Sequence, residues 1–384
     1  MSKEVLDKIK KYKTAEQAVL LSTRRDLEKD EMDYLSEIIQ SYEMEWPLYI
    51  GIVFYNRLNG IAYRNNLNVN GFPRRAMFNL RSAYENMYKR AKLHCEEISK
   101  INERFEEEKI SFAFLKGSVL NTIYYEFGER MSNDTDILVG ERDLGKVDKI
   151  LKAMGYIQGI FKNGEIIPAT KKEILFARLN TYETFPYVKK MDDKNFPVHE
   201  IDINFKLENG KSGESAGIML QRTVQLENED FHIRTLEKND FLIFLCIHHF
   251  REATMMYKII EGDDLTLYKY LDIHTFLNKT TMDWEFFVRK VKEYKREKEV
   301  YHTLWCTEEL YPGTICEEVF DLFKIDDVQF LNEYKGKENT DITYEWKEEF
   351  YKRVFDEKRK FEAMENLKSE NERFKKIMKE LKGE

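Results

Sequence analysis

Two aspartates one residue apart, Asp134 and Asp136, open the short apolar run Ile137–Val139. Side chains two apart on a strand share a face, so these carboxylates point the same way and repel unless a cation lies between them. Magnesium takes carboxylate and phosphate oxygens together, and a pair of such ions can stabilise both the attacking and the leaving oxygen of an in-line phosphoryl displacement. A third carboxylate would come from a neighbouring strand. In VHEIDINFKL, Glu200, Asp202 and Asn204 share one face while Ile201, Ile203 and Phe205 share the other. Asp202, flanked by isoleucines, is the expected ligand, with Glu200 in reserve.

Upstream, FLKGSVL breaks an apolar strand on Lys116, Gly117 and Ser118. A strand that ends in Gly-Ser at the entry to a helix leaves backbone N–H groups pointing at one spot, which suits a phosphate. Gly117 would let the phosphate approach, Ser118 would add a hydroxyl donor and Lys116 a positive charge. Neither G-x-x-x-x-G-K nor G-x-G-x-x-G is present, so this is not a P-loop or a dinucleotide fingerprint. His248, His249 and Glu252 at helical spacing, with Asp272 and His274 further on, lack a metal-site signature and read as packed or acceptor-binding groups.

The elements that must hold these residues are legible in part. Residues 1–108 read as a helical domain: Thr14 and Gln17 suggest a capping box, Pro47 suits a helix's first turn, and a long charged helix follows Pro73. Residues 109–210 switch to short apolar runs, at Phe112–Leu115, Ile137–Val139, Tyr156–Phe161 and Val198–Leu207, which predicts a small mixed sheet in an α+β core. Asn163-Gly164 signals a hairpin, Asp143 a helix N-cap and Gly155 that helix's end. Residues 211–335 read as helical again and 336–384 as a charged helix. In this tail Leu367, Asn371, Phe374, Met378 and Leu381 follow a 4-3-4-3 spacing, which allows a homodimer coil, although so few heptads favour a helix packing on its own chain.

Composition narrows the class. With 384 residues, 42% hydrophobic and 34% charged, the chain can build more than one core. A net charge of −8 argues against extended nucleic acid as a partner, since that binding needs basic patches. Cys95, Cys246, Cys306 and Cys316 show no C-x-x-C spacing, and no apolar run approaches the roughly 18 residues that span a bilayer. MSKEVLDKIKKYK is too charged for a secretory signal, so the expectation is a cytoplasmic protein without a membrane partner.

Gly117-Ser118, then Asp134-Thr135-Asp136, then Asp202 resembles the signature of the polymerase-β-like nucleotidyltransferase superfamily. FLKGSVL, GERMSNDTDILV and DLGKVDKILKAMGY are similar to the bacterial family labelled "uncharacterised nucleotidyltransferase", with its LKG…R…DIDLLV…GY pattern. WPLYIGIVFYNRL and LCIHHFREA extend the likeness to about Pro312. The resemblance implies a polymerase-β-like core flanked by helical domains and two magnesium ions held by Asp134, Asp136 and Asp202. Asp202 would also help remove the acceptor's proton. It implies a nucleoside triphosphate donor held by Gly117 and Ser118, with Lys116 and Arg130 at the family's positive positions. Two departures stand out. The insertion YYEFGERMSN, expected as a longer helix and loop, separates Gly117 from Asp134, and Asn204 stands where the family tends to place a histidine. The expected activity is transfer of a nucleoside monophosphate to an acceptor that the sequence leaves open: a small molecule, a modified peptide or a protein. The alternatives are a silent nucleotide-binding scaffold and a nucleotidylating toxin.

Overall fold

The computed structural model describes residues 2–132, 134–207, 214–337 and 342–382, with no side chains described for 2, 214 or beyond 372. Helices α1 (Ser2–Ile9), α2 (Thr14–Thr23), α3 (Lys29–Gln40), α4 (Trp46–Tyr55), α5 (Asn59–Asn66) and α6 (Arg74–Glu107) precede the first strand. Next come β1 (Phe112–Phe114), the single turn α7 (Lys116–Val119) running into a π-helical turn at Leu120–Tyr124, β2 (Thr135–Val139) and α8 (Leu144–Ala153). The hairpin β3 (Ile157–Lys162) and β4 (Glu165–Pro168), α9 (Lys171–Asn180), β5 (Tyr187–Lys190), β6 (Val198–Asn204), α10 (Glu214–Leu220), β7 (Thr223–Glu227) and β8 (His232–Leu236) follow. The rest is α11 (Lys238–Thr254), α12 (Met256–Glu261), α13 (Leu267–Asn278), α14 (Trp284–Tyr294), α15 (Glu297–Leu310), α16 (Glu317–Phe323), β9 (Glu333–Lys335), β10 (Thr343–Glu345), α17 (Phe350–Arg353) and α18 (Arg359–Lys382). Contacts divide these elements into two compact units, Met1–Leu58 with Asn68–Phe72 and Leu245–Glu384, and Asn59–Leu67 with Pro73–Phe244.

The second unit carries a mixed sheet in the order β4-β3-β5-β6-β2-β1-β8-β7. It has eight strands and is larger than the small sheet expected, because β4, β5, β7 and β8 add to the four apolar runs visible in the sequence. Central β1 and β2 are buried throughout, as strands covered on both faces must be. β2 runs antiparallel to β1 and parallel to β6. The long α6 buries Leu80, Met87, Ala91, Cys95, Ile98 and Phe105 at helical spacing and packs on β8, α8 and the π turn. The β3–β4 hairpin turns at Asn163 and Gly164, both with positive φ, as the dipeptide predicts.

Three local expectations need correction. Helix α2 starts at Thr14, one residue earlier than a Thr14 cap requires, so Glu16 takes the Lys13 N–H at 2.9 Å and Gln17 bonds the Tyr12 carbonyl instead. Asp143 stands at the N-cap of α8 as expected, but its carboxylate accepts the Ser111 N–H, 3.0 Å away, and none from the helix. The insertion YYEFGERMSN makes no longer helix: the π turn ends at Tyr124, and of the residues that follow all but Asn133 are described, as turns and extended chain.

In the first unit, α2 is buried from Ala15 to Thr23 and packs on α3 and α4. A second cluster of Met256, Ile259, Tyr334, Trp346 and Ala363 seats α18 on α12, with Leu367 packed against it. Phe374, Met378 and Leu381 of the tail's spacing lie outside the residues whose side chains are described. Among the described residues no helix is long and apolar enough to cross a membrane.

Candidate active site

Parallel pairing of β2 with β6 sets Asp136 directly opposite Asp202 and Thr135 opposite Ile201. Asp134 stands one residue before β2. On the other flank, the Leu115 N–H bonds the Asp136 carbonyl at 3.0 Å, which is the last rung between β1 and β2. The chain then turns sharply, with Lys116 at φ +45, a backbone region that costs a non-glycine residue about 1–2 kcal/mol. This is why the strand breaks on Lys-Gly-Ser: the break delivers Lys116, Gly117 and Ser118 beside the acids.

The acids crowd. Asp136 is 4% exposed, and its pKa is raised by burial and by the charge of Asp134, although Lys116 and Asn204 counter this. Asp202 is held well above the usual carboxylate range by burial and then by Asp136, Asp134, Glu183 and Glu200. Glu200 is also pushed up, by burial and by Asp134. Lys116 Nζ lies 2.7 Å from Asp136 Oδ1, and Asn204 Nδ2 lies 3.4 Å from the same oxygen. Positive charge is therefore what this cluster lacks.

Among the described residues no three His, Cys, Asp or Glu side chains come close enough to hold one metal ion. The donor set still fits magnesium, which needs only one or two hard carboxylates when substrate phosphates complete its shell. Asp136 and Asp202 would serve as those two, with Asp134 contributing charge.

Gly117 fits a phosphate cradle. A Cβ there would meet Ser132 Oγ at 2.5 Å and Arg130 Nη1 at 2.6 Å, so only glycine leaves both donors their place. Ser118 Oγ is fully buried without a hydrogen-bond partner, as is Asn121 Nδ2. Orphaned buried donors cost stability and are tolerated where a ligand satisfies them. Arg130 is buried, with Nη1 3.4 Å from Asn121 Oδ1 and 3.3 Å from the Met131 carbonyl. The π turn that follows also borders a cavity of about 700 Å³ walled by Tyr84, Tyr88, Phe127 and Phe231, a size that accepts a small molecule.

Five polar residues escaped the sequence reading as a group. Thr135, on the face of β2 away from Asp134 and Asp136, touches both His94 and His199, and Tyr156 and Glu97 lie behind them. Burial lowers the His94 pKa to about 4 and takes His199 well below its usual value, so both rings are neutral. Burial opposes the Glu97 charge, but Lys100 and Lys189 outweigh it and keep the carboxylate ionised. His199 sat in plain view beside Glu200, whereas nothing in the helical pattern of α6 distinguished His94.

In the first unit, Glu252 is ion-paired to His248 at 3.3 Å and to Lys269 at 2.8 Å. His274 is buried, accepts the Arg25 N–H at 3.1 Å and stacks on Tyr311. His248 and His274 are thus engaged within the fold, as packed histidines are.

No curated protein matches the chain. Among solved structures, an antigenic nucleotidyltransferase-like protein from Paracoccidioides brasiliensis is similar at 11% identity and a TM-score of 0.36, over 60% of this chain and 92% of that one. The model of a family described as uncharacterised nucleotidyltransferase matches residues 42–312, a span that contains the Lys-Gly-Ser turn and all three acids, and the chain belongs to that family.

Proposed function

We propose that the protein transfers a nucleoside monophosphate from a nucleoside triphosphate to a nucleophile on an acceptor and releases pyrophosphate. The observation that carries this reading is the register of Asp136 against Asp202, two carboxylates whose pKa values are raised by burial, that of Asp202 also by the charge of Asp136, beside a glycine cradle with orphaned donors. Gly117, Ser118, Ser132 and Arg130 would hold the phosphates by N–H and O–H donation, which suits their position and leaves Ser118 Oγ satisfied. Lys116 would exchange Asp136 for a phosphate oxygen. Magnesium, when bound to Asp136 and Asp202 with Asp134 nearby, would neutralise charge on the attacking and leaving oxygens. Asp202, whose pKa is held well above the usual carboxylate range chiefly by burial, would take the acceptor's proton. Small molecules, modified peptides and proteins fit this chemistry as acceptors.

A second reading is a nucleotide-binding protein without turnover, favoured by the Lys116 ammonium already resting on Asp136. Titration calorimetry with each of the four triphosphates, with and without magnesium, on wild type and Asp134→Asn/Asp136→Asn separates these readings when paired with a pyrophosphate-release assay. The expected result is magnesium-dependent binding of one nucleotide, lost in the double variant, with slow pyrophosphate release as water takes the acceptor's place and receives the nucleoside monophosphate. Binding without any release would favour the silent reading, and no binding at all would overturn both.

A further inference from the structure

Behind the acids, five buried side chains form a continuous hydrogen-bonded chain. Thr135 Oγ1 lies 2.7 Å from His94 Nε2 on α6 and 2.7 Å from His199 Nε2 on β6. His199 Nδ1 lies 2.6 Å from the Tyr156 hydroxyl, which lies 3.3 Å from Glu97 Oε2. Glu97 ends the chain, held by Lys189 at 2.9 Å and Lys100 at 2.6 Å. All five are at most 3% exposed, so each polar atom must be satisfied from within.

Proton counting leaves one arrangement. An ionised Glu97 only accepts, so Tyr156 spends its single proton on it. Tyr156 must then accept from His199, which places a proton on Nδ1 and leaves Nε2 bare in a neutral ring. Thr135 donates to that Nε2, and its remaining lone pairs accept from His94 Nε2–H. Any reversal sets two donors or two acceptors against each other at under 3.4 Å.

We propose that this directed chain is a positioning device: by fixing Thr135 to α6 and β6 at once, it locks β2 in the register that sets Asp136 against Asp202. Thr135, His94, His199 and Tyr156 are positioning residues; none touches the candidate phosphate cradle. The inference rests on the proposed function only for what those two acids do.

The test uses full-length protein in three forms. Two-bond ¹H–¹⁵N spectra of labelled histidine should show wild-type His94 protonated on Nε2 and His199 on Nδ1, each a single tautomer. Thr135→Val, which keeps the shape and removes the hydroxyl, should mix the His94 tautomers, leave His199 protonated on Nδ1 where Tyr156 and Glu97 hold it, and speed amide exchange in β2 and β6 about tenfold relative to β7 and β8. Thr135→Ser should restore both. A wild-type His199 protonated on Nε2, or exchange that rises uniformly across the sheet in Thr135→Val, would overturn the proposal. Magnesium-dependent nucleotide affinity is read separately: it should weaken roughly tenfold in Thr135→Val and recover in Thr135→Ser. Wild type with the expected tautomers and exchange pattern but no nucleotide binding would support the lock while overturning the function proposed for the site.

Discussion

Asp202 is uncomfortable as it stands, and that discomfort can be measured. Its folded pKa lies well above the value of an unfolded aspartate, chiefly through burial and the charge of Asp136. Between those two values the folded state binds more protons, so stability is full below the unfolded pKa and falls as pH rises through the folded one. Asp202→Asn has no charge to bury. Without divalent cations it should therefore unfold at a higher temperature than wild type at pH 8, by about 2–4 °C for each kcal/mol recovered, with the gap narrowing towards pH 5. Adding magnesium with the bound nucleotide should stabilise wild type and not the variant. Thermal melts across this pH range with no gap anywhere would mean that the carboxylate is already compensated. The convergence of Asp136 and Asp202 was legible because strand alternation fixes which side chains share a face. The inward turn of Lys116 onto Asp136 was not, because a backbone at φ +45 leaves no mark on residue type when the residue is lysine.

At the scale of elements, a helix that carries none of the acids or phosphate donors backs the turn that leads to Arg130. In α5, Gly60 lies against the backbone of the turn before Arg130, where a Cβ would come within 1.9 Å of the Gly128 carbonyl oxygen and 2.7 Å of that of Glu129. Backbone cannot step aside as a side chain can. Gly60→Ala should cost about 2–3 kcal/mol and weaken nucleotide binding by displacing Arg130. Gly145→Ala is the control, since a Cβ there meets nothing within 4 Å and alanine favours α8, so the variant should be neutral or gain about 0.5 kcal/mol. Urea denaturation of both variants measures the contrast. The strands bearing the acids were readable from apolar runs, but β5, β7 and β8 were not. YVKK, TVQLE and HIRTL mix charged and apolar residues over four or five positions, and their strand character comes from the neighbours they pair with. The same holds for the π turn after Ser118, which no propensity marks.

For the molecule as a whole, the tail shows how a charged sequence can hide an anchor. The strongly charged stretch from Trp346 onward made the tail look like a solvated helix, and the packing of Ala363 and Leu367 on the chain's own core agrees with a terminal helix held in place. What spacing did not reveal is Arg359 at the head of α18, buried with Nε and Nη2 on Asp264, at 2.9 and 2.7 Å. Arg353 lies close by, its pKa lowered to about 10 by burial although the Asp264 charge works the other way. Removing Asp264 would leave two guanidinium groups out of water with their shared counter-charge gone. Breaking a buried pair from one side costs about 3–5 kcal/mol, whereas replacing both partners with apolar groups of similar volume is often neutral. Asp264→Ala should therefore lower the urea midpoint strongly, and Asp264→Leu/Arg359→Met should return most of the loss. Equal losses in the two variants would mean that α18 is seated by the ion pair itself rather than by the apolar contacts of Ala363 and Leu367, and that the tail's attachment is electrostatic.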